Sequence, residues 1–215
     1  MRLMKPLILL AALLPTLVCA EPAKESPAKE TPAPAKPPQV RLITSEGEIV
    51  IELDPVKAPA TVENFLGYVK KKHYDGTVFH RVIRDFMIQG GGFVVQDGKL
   101  TEMPVGKPVV NESRNGLKNL RGTIAMARRA DPDSATAQFF INTVDNPMLD
   151  HPNNGGYAVF GKVVGGMDVV DKIRAVPTAT GKLAMKHPVS GEIIEAPAGD
   201  VPTSPVTIRS AVIAD

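Results

Sequence analysis

From Val40 onward the apolar positions fall into short runs with the two-residue period of β-strands, separated by glycine and turn residues. Val40–Thr44 and Ile49–Leu53 flank Ser45-Glu46-Gly47-Glu48, a hairpin pattern in which Ile49, Ile51 and Leu53 share one face. Asp54-Pro55 ends the second strand. Pro59 then opens a different pattern: Val62, Phe65, Leu66 and Val69 recur at helical spacing, and the run closes on Lys70-Lys71-Lys72, which suits the negative end of a helix dipole. Further strand-like runs cover Thr77–Ile83, Phe86–Gln89, Gly122–Ala127, Gln138–Asn142, Tyr157–Val164 and Val206–Ile213. A second helix is predicted over Met167–Ala175, with Val169, Val170 and Ile173 turned inward. Pro177–Pro205 is polar and proline-containing, and reads as a surface excursion with a small hairpin around Pro188–Gly191. Many short strands and only two helices predict a mainly β barrel or sandwich.

The N-terminal part has another character. Arg2 and Lys5 precede an apolar run from Leu7 to Val18, which Pro15 interrupts and which is far shorter than the roughly twenty residues a membrane span needs. Residues 1–20 therefore read as a secretory signal cleaved after Ala20, so that the mature protein is periplasmic. A lipid anchor on Cys19 is the alternative, disfavoured by Val18 where a small residue is usual. Residues 21–39 hold six prolines with balanced acids and lysines, a linker that cannot bury apolar surface. The globular domain then spans 40–215. The formal charge of the 215-residue chain is +2, and losing Arg2 and Lys5 with the signal leaves it near neutral, which removes the basis for nucleic-acid binding. The single cysteine excludes a disulfide scaffold and cysteine-rich metal modules.

Most catalytic signatures are missing from the sequence. There is no Gly-x-Ser-x-Gly elbow, and Gly161–Gly166 lacks the Lys-Ser/Thr of a phosphate-binding loop. Gly90-Gly91-Gly92 reads as a tight turn. His73, His80, His151 and His187 are scattered without the spacing of a metal pair, and Asp131 and Asp133 read as a solvated turn around Pro132. Neither a metal nor a cofactor is expected. What stands out is Phe79-His80-Arg81-Val82-Ile83 followed by Phe86-Met87-Ile88-Gln89-Gly90-Gly91. Arginine is unfit for proton transfer but is a fixed donor of several hydrogen bonds. On pattern alone this is equally a core strand with one exposed arginine. Alternation sends His80 to the face opposite Arg81, where it reads as a buried, hydrogen-bonded residue.

The order FHRVI–FMIQGG, GTIAMA (122–127), SATAQFFIN (134–142) and YAVFGKVVGGMDVVDKI (157–173) resembles the cyclophilin family of peptidyl-prolyl cis–trans isomerases, over nearly all of Val40–Ile213. The loop wording RNGLKNLRGTIAMAR and DNPMLDHPNNGGYAVFG is similar to the exported bacterial branch. The resemblance implies a closed eight-stranded antiparallel β-barrel capped by two α-helices. It implies Arg81 as the catalytic arginine and Phe86, Met87, Phe140 and Leu149 as the proline pocket. Gln89 and the Arg128 main chain would hold substrate backbone, Ala127 and Gln138 would line the adjoining groove, and Met148 and Tyr157 would stand on the rim. Phe139, which points away from Phe140, is expected in the core. Partners would be proline-containing unfolded or partly folded polypeptides, bound by a monomer. Met148 stands where many members have tryptophan and Tyr157 where histidine is common, so weak or no binding of the inhibitor cyclosporin is expected. Arg128 and Arg129 point to acidic residues before proline. A non-catalytic peptide-binding module using the same groove is the competing function.

Overall fold

The structure, a computed structural model, describes residues 36–187 and 190–214. The predicted signal, Cys19, most of the linker and the centre of the hairpin expected at Pro188–Gly191 lie outside the described residues.

Eight strands make the principal sheet: β1 (Gln39–Thr44), β2 (Glu48–Leu53), β3 (Arg81–Ile83), β4 (Met87–Gly90), β7 (Thr123–Met126), β8 (Phe139–Asn142), β9 (Val159–Gly165) and β12 (Ile208–Ala214). Their order is β12-β1-β2-β9-β7-β8-β4-β3, with antiparallel neighbours throughout. The two edge strands, β3 and β12, share no ladder, so the closed barrel implied by the resemblance is not present as a continuous ladder. The chain segments leading into them do meet: Phe79 N donates to the Val206 carbonyl (2.9 Å) and Ile208 N to that of Thr77 (2.7 Å). The strand expected over Thr77–Ile83 is accordingly split. Thr77 and Val78 form isolated bridges to Val94 and Thr207, and regular pairing begins at Arg81.

Period-two alternation gives this sheet two buried faces. Val82, Ile88, Ile124, Met126, Phe139, Ile141 and Phe160 point inward to the main core with Val40, Leu42, Ile49, Ile51 and Leu53. Helix α1 (Pro59–Lys70) covers that core with Val62, Phe65 and Val69, and α2 (Met167–Arg174) with Val169, Val170 and Ile173. The Phe65 ring lies 5.1–5.7 Å from those of Tyr74, Phe160 and Phe139. Helix α1 has no cap from its own sequence, because Ala58 occupies that position. The Glu112 carboxylate, 51 residues away from Thr61, accepts from Ala60 N (3.1 Å), Thr61 N (2.8 Å) and Thr61 Oγ1 (2.6 Å), satisfying the orphan donors.

A second, four-stranded sheet has the order β11 (Ile193–Pro202), β10 (Thr178–Lys186), β6 (Lys99–Glu102), β5 (Phe93–Gln96). Strands β5 (Phe93–Gln96) and β6 (Lys99–Glu102) form a hairpin around Asp97 and Gly98, both at positive φ (50° and 73°), the two-residue turn that matches strand twist. Strands β10 (Thr178–Lys186) and β11 (Ile193–Pro202) form the other hairpin. Pro177–Pro205 is therefore largely paired structure: the pairing flanks the small hairpin expected around Pro188–Gly191 and extends along most of the surface excursion. Pro197 and Pro202 are tolerated because β11 is an edge strand.

Candidate active site

The outward face of the principal sheet carries a row of side chains set by register alone. Arg81 pairs with Gln89, Gln89 with Phe140, Phe140 with Ala125 and Ala125 with Val159. Met87, two residues before Gln89, shares this face by the strand period. Met87, Ala125, Phe140 and Val159 form a small apolar cluster separate from the main core, packed by Phe86, Leu117, Ala127, Leu149 and Tyr157 from loops. Phe139 is fully buried on the opposite face.

A cavity of about 120 Å³ opens over this cluster, lined by Phe86, Met87, Phe140, Leu149 and Tyr157 with Arg81, Gln89, Ala127 and Arg128 at its border. That is the volume of about four waters, room for a single small ring and well short of the roughly 300–1,000 Å³ of drug-sized pockets. Phe140 and Tyr157 meet edge to face at 5.7 Å. The half-buried Arg81 therefore stands at the rim of an apolar pocket. Gln138 lies outside the pocket but bears on it: its Oε1 accepts from Gln89 Nε2 at 2.9 Å, and its carbonyl accepts from Ala127 N at 3.0 Å. Met148, 60% exposed on a 3-10 turn over Pro147–Leu149, does not line the cavity.

Glycines at the end of β4 make this arrangement possible. A Cβ at Gly91 (φ +82°) would stand 2.8–2.9 Å from the Tyr74 and Phe139 rings, and one at Gly92 would stand 2.4 Å from Gln138 Cγ. The three-glycine run is thus a close-approach turn that leaves room for Gln138.

Three features of the site are not evident from sequence. First, Asn119, Asn142 and Asn146 are buried and form a chain of amides. Asn142 Nδ2 donates to Asn119 Oδ1 (3.2 Å), and Asn146 Nδ2 donates to Asn142 Oδ1 and to the Phe86 carbonyl (both 2.8 Å), fixing a pocket residue. Secondly, the Arg128 guanidinium lies 4.4 Å over the Tyr157 ring and donates to the Gly156, Arg129, Ala130 and Asn154 carbonyls. Arg129 Nη2 lies 3.6 Å from Glu102 Oε1. Both guanidinium groups have partners within the protein. Thirdly, the β10–β11 hairpin approaches the site.

His80 is 4% exposed and has its ring centroid 4.6 Å from that of Phe93. The ring has a hydrogen bond with the Val78 backbone while its Nδ1 has no partner, and burial lowers its pKa to about 4. It is thus neutral near pH 7. No group of three His, Cys, Asp or Glu side chains that could hold a metal exists among the described residues. The site offers fixed donors beside an apolar seat, which can hold a small ring and polarise an amide without forming a bond.

A family model for cyclophilin type peptidyl-prolyl cis-trans isomerase/CLD matches residues 39–211. The chain is 54% identical over 160 residues to Peptidyl-prolyl cis-trans isomerase cyp18 of Streptomyces antibioticus, covering 73% of this chain and 95% of that protein. It is 47% identical over 176 residues to Peptidyl-prolyl cis-trans isomerase B of Escherichia coli (strain K12), covering 80% and 97%. Among solved structures, a cyclophilin type peptidyl-prolyl cis-trans isomerase from Cryptosporidium parvum, crystallised in the presence of the dipeptide Ala-Pro, superimposes with a TM-score of 0.63 at 26% identity. That match covers 82% of this chain and 99% of the other.

Proposed function

This chain belongs to the cyclophilin-type peptidyl-prolyl cis–trans isomerases and has their enzymatic activity, and from that premise we propose how its own residues carry the reaction and where it acts. Amide resonance puts a barrier of about 18–20 kcal/mol between the isomers of an X-Pro bond, although they lie within about 1 kcal/mol of each other. Catalysis therefore needs no nucleophile or cofactor, only tighter binding of the twisted amide than of either planar form. The proline ring sits in the pocket of Phe86, Met87, Phe140 and Leu149. As the bond twists, conjugation is lost and the nitrogen lone pair localises, so the nitrogen becomes a hydrogen-bond acceptor it was not in the planar amide. Arg81 donates to that nitrogen and to the proline carbonyl. Gln89, oriented by Gln138, holds a neighbouring backbone group, and the Arg128 main chain pairs with the residue before proline. The observation that carries this reading is the row Arg81–Gln89–Phe140 beside an apolar cavity of about 120 Å³. The Ala-Pro dipeptide present with the Cryptosporidium relative is the ligand chemistry such a cavity would accept.

The protein acts as a monomer on unfolded or partly folded exported polypeptides, in the periplasm, after cleavage behind Ala20; residues 21–39 act as its linker. Met148, exposed on the rim, gives little surface to cyclosporin. Refolding of a test protein whose slow phase is X-Pro isomerisation examines the folding role: the phase should accelerate in proportion to enzyme concentration, and an unchanged phase refutes it. Cell fractionation with N-terminal sequencing examines export. A soluble periplasmic chain beginning at Glu21 is expected, and a chain retaining Met1 in the cytoplasm would refute it.

A further inference from the structure

Strand β10 separates two spaces. Alternation turns Leu183 and Met185 to the side that Arg81 and Gln89 border, and Lys182 and Ala184 to a cavity of about 750 Å³. Four chain segments line that cavity: the stretch before β3, the β5–β6 hairpin, the β10–β11 hairpin and the turn after β11. Val78, Phe79, Leu100, Ala184, Val201 and Pro205 make its walls largely apolar. No residue lining the proline pocket borders it, and its volume falls within the roughly 300–1,000 Å³ of small-molecule sites.

The charged residues lining the cavity are Lys99, Lys182 and Glu195. Register places Lys182 opposite Pro197 and Ala184 opposite Glu195, so Lys182 and Glu195 are diagonal neighbours on one face of the hairpin. Lys99 arrives from the other hairpin. Its Nζ donates to Glu195 Oε1 at 2.8 Å, and Lys182 Nζ donates to Oε2 at 3.2 Å. Two ammonium groups thus share one carboxylate, and one positive charge is in excess. Each ammonium has three donors and uses one on Glu195, so donors remain for a second anion. The lysine side chains are 66% and 73% exposed, and a bare ion gains little from charges so well solvated. An anion joined to an apolar body gains from the walls as well.

We propose that this cavity is a second ligand site, separate from the proline pocket, for a small amphipathic monocarboxylate. Its aryl or branched alkyl body lies against the apolar walls and its carboxylate is held by Lys99 and Lys182. The test is a backbone-amide NMR titration of the protein with phenylbutyrate, beside phenylbutylamine and acetate. Phenylbutyrate should give saturable shifts centred on Lys99, Gly181, Lys182, Ala184, Val201 and Thr203, and acetate none. The amine, of the same shape and opposite charge, should bind about tenfold more weakly or worse. Lys182→Met leaves Lys99 and Glu195 balanced and should weaken phenylbutyrate about fivefold, whereas Glu195→Gln leaves both ammonium charges unneutralised and should tighten it by about as much. Unchanged isomerisation of an X-Pro peptide by both variants checks that they fold, and a saturating X-Pro peptide should leave phenylbutyrate bound. The proposal is overturned by an amine or acetate that binds as tightly as phenylbutyrate, by the absence of saturable shifts at those residues, or by affinities unmoved in both variants. Displacement by the X-Pro peptide would overturn it too. Binding of an acetylated acidic tripeptide amide in the cavity where phenylbutyrate fails would also overturn it, in favour of a docking site for polypeptide.

Discussion

Asn146 offers a test of how the pocket is held. Its side chain is 2% exposed and gives both amide protons to the site, one to the Phe86 carbonyl and one to Asn142 Oδ1, each at 2.8 Å. Asn146→Ala removes both bonds. The Phe86 carbonyl keeps Thr143 N at 3.1 Å, but Asn142 Oδ1, on a residue with no exposed surface, loses that donor. Two lost hydrogen bonds and one unsatisfied buried acceptor cost about 2–4 kcal/mol. For a domain of this size about 2–4 °C of Tm is lost per kcal/mol, so Tm should fall by about 5–15 °C. With Phe86 less firmly placed, KM for a proline peptide should rise by more than kcat falls. Asn153→Ala is the control: its exposed Nδ2 donates to the Pro147 carbonyl at 3.3 Å, and its loss should cost under about 0.5 kcal/mol. Calorimetry on both variants, with peptide kinetics at a temperature where both are folded, makes the comparison. Equal, small Tm shifts in the two would refute the positioning argument.

Two further outcomes follow from buried groups. Burial holds the pKa of His80 at about 4, below its unfolded value near 6.5, so the unfolded chain binds a proton in that window that the native chain does not. The wild type should thus lose about 2–3 kcal/mol more than His80→Gln between pH 7 and pH 4.5, read by urea unfolding at each pH; parallel losses would contradict it. Gly91→Ala should cost about 2–4 kcal/mol, since positive φ and contact with the Tyr74 and Phe139 rings act together, whereas Gly76→Ala, at φ +81° in open space, should cost only about 1–2. Similar losses at the two positions would mean that the rings yield freely.

The elements that could be read from sequence are those whose signal is local. The hairpin at Val40–Leu53 and both helices follow from short-range periodicity, and Arg81 and Gln89 drew attention because a cation and an amide interrupt apolar runs. The two-residue turn at Asp97-Gly98 was also legible, a standard hairpin signal between Phe93–Gln96 and Lys99–Glu102, yet those strands are mostly exposed and lack a clear apolar face. The hairpin around Pro188–Gly191 is legible, but the full length of β10 and β11 is not, for a different reason. Gly181, Pro197, Gly199 and Pro202 interrupt any alternation, and the partner that fixes the hairpin is β6, some 80 residues earlier and parallel to β10. Non-local pairing of that kind leaves no mark within a short window. The amide chain through Asn119, Asn142 and Asn146, and the folding back of Arg128 onto main-chain carbonyls, are likewise set by tertiary placement. In sequence nothing marks the three asparagines as partners of one another, or the Arg128 side chain as turned back on its own chain.

In the proposed mechanism Arg81 stabilises the twisted amide rather than merely binding peptide. The most direct measurement is cis–trans exchange of an X-Pro peptide on wild type and Arg81→Ala, with the dissociation constant of the same peptide measured alongside. Loss of one preorganised donor to a transition state predicts a fall in kcat of about 10²–10³-fold, with peptide affinity changed only a few-fold. Exchange as fast as in the wild type, or an affinity lost in the same proportion as activity, would contradict it.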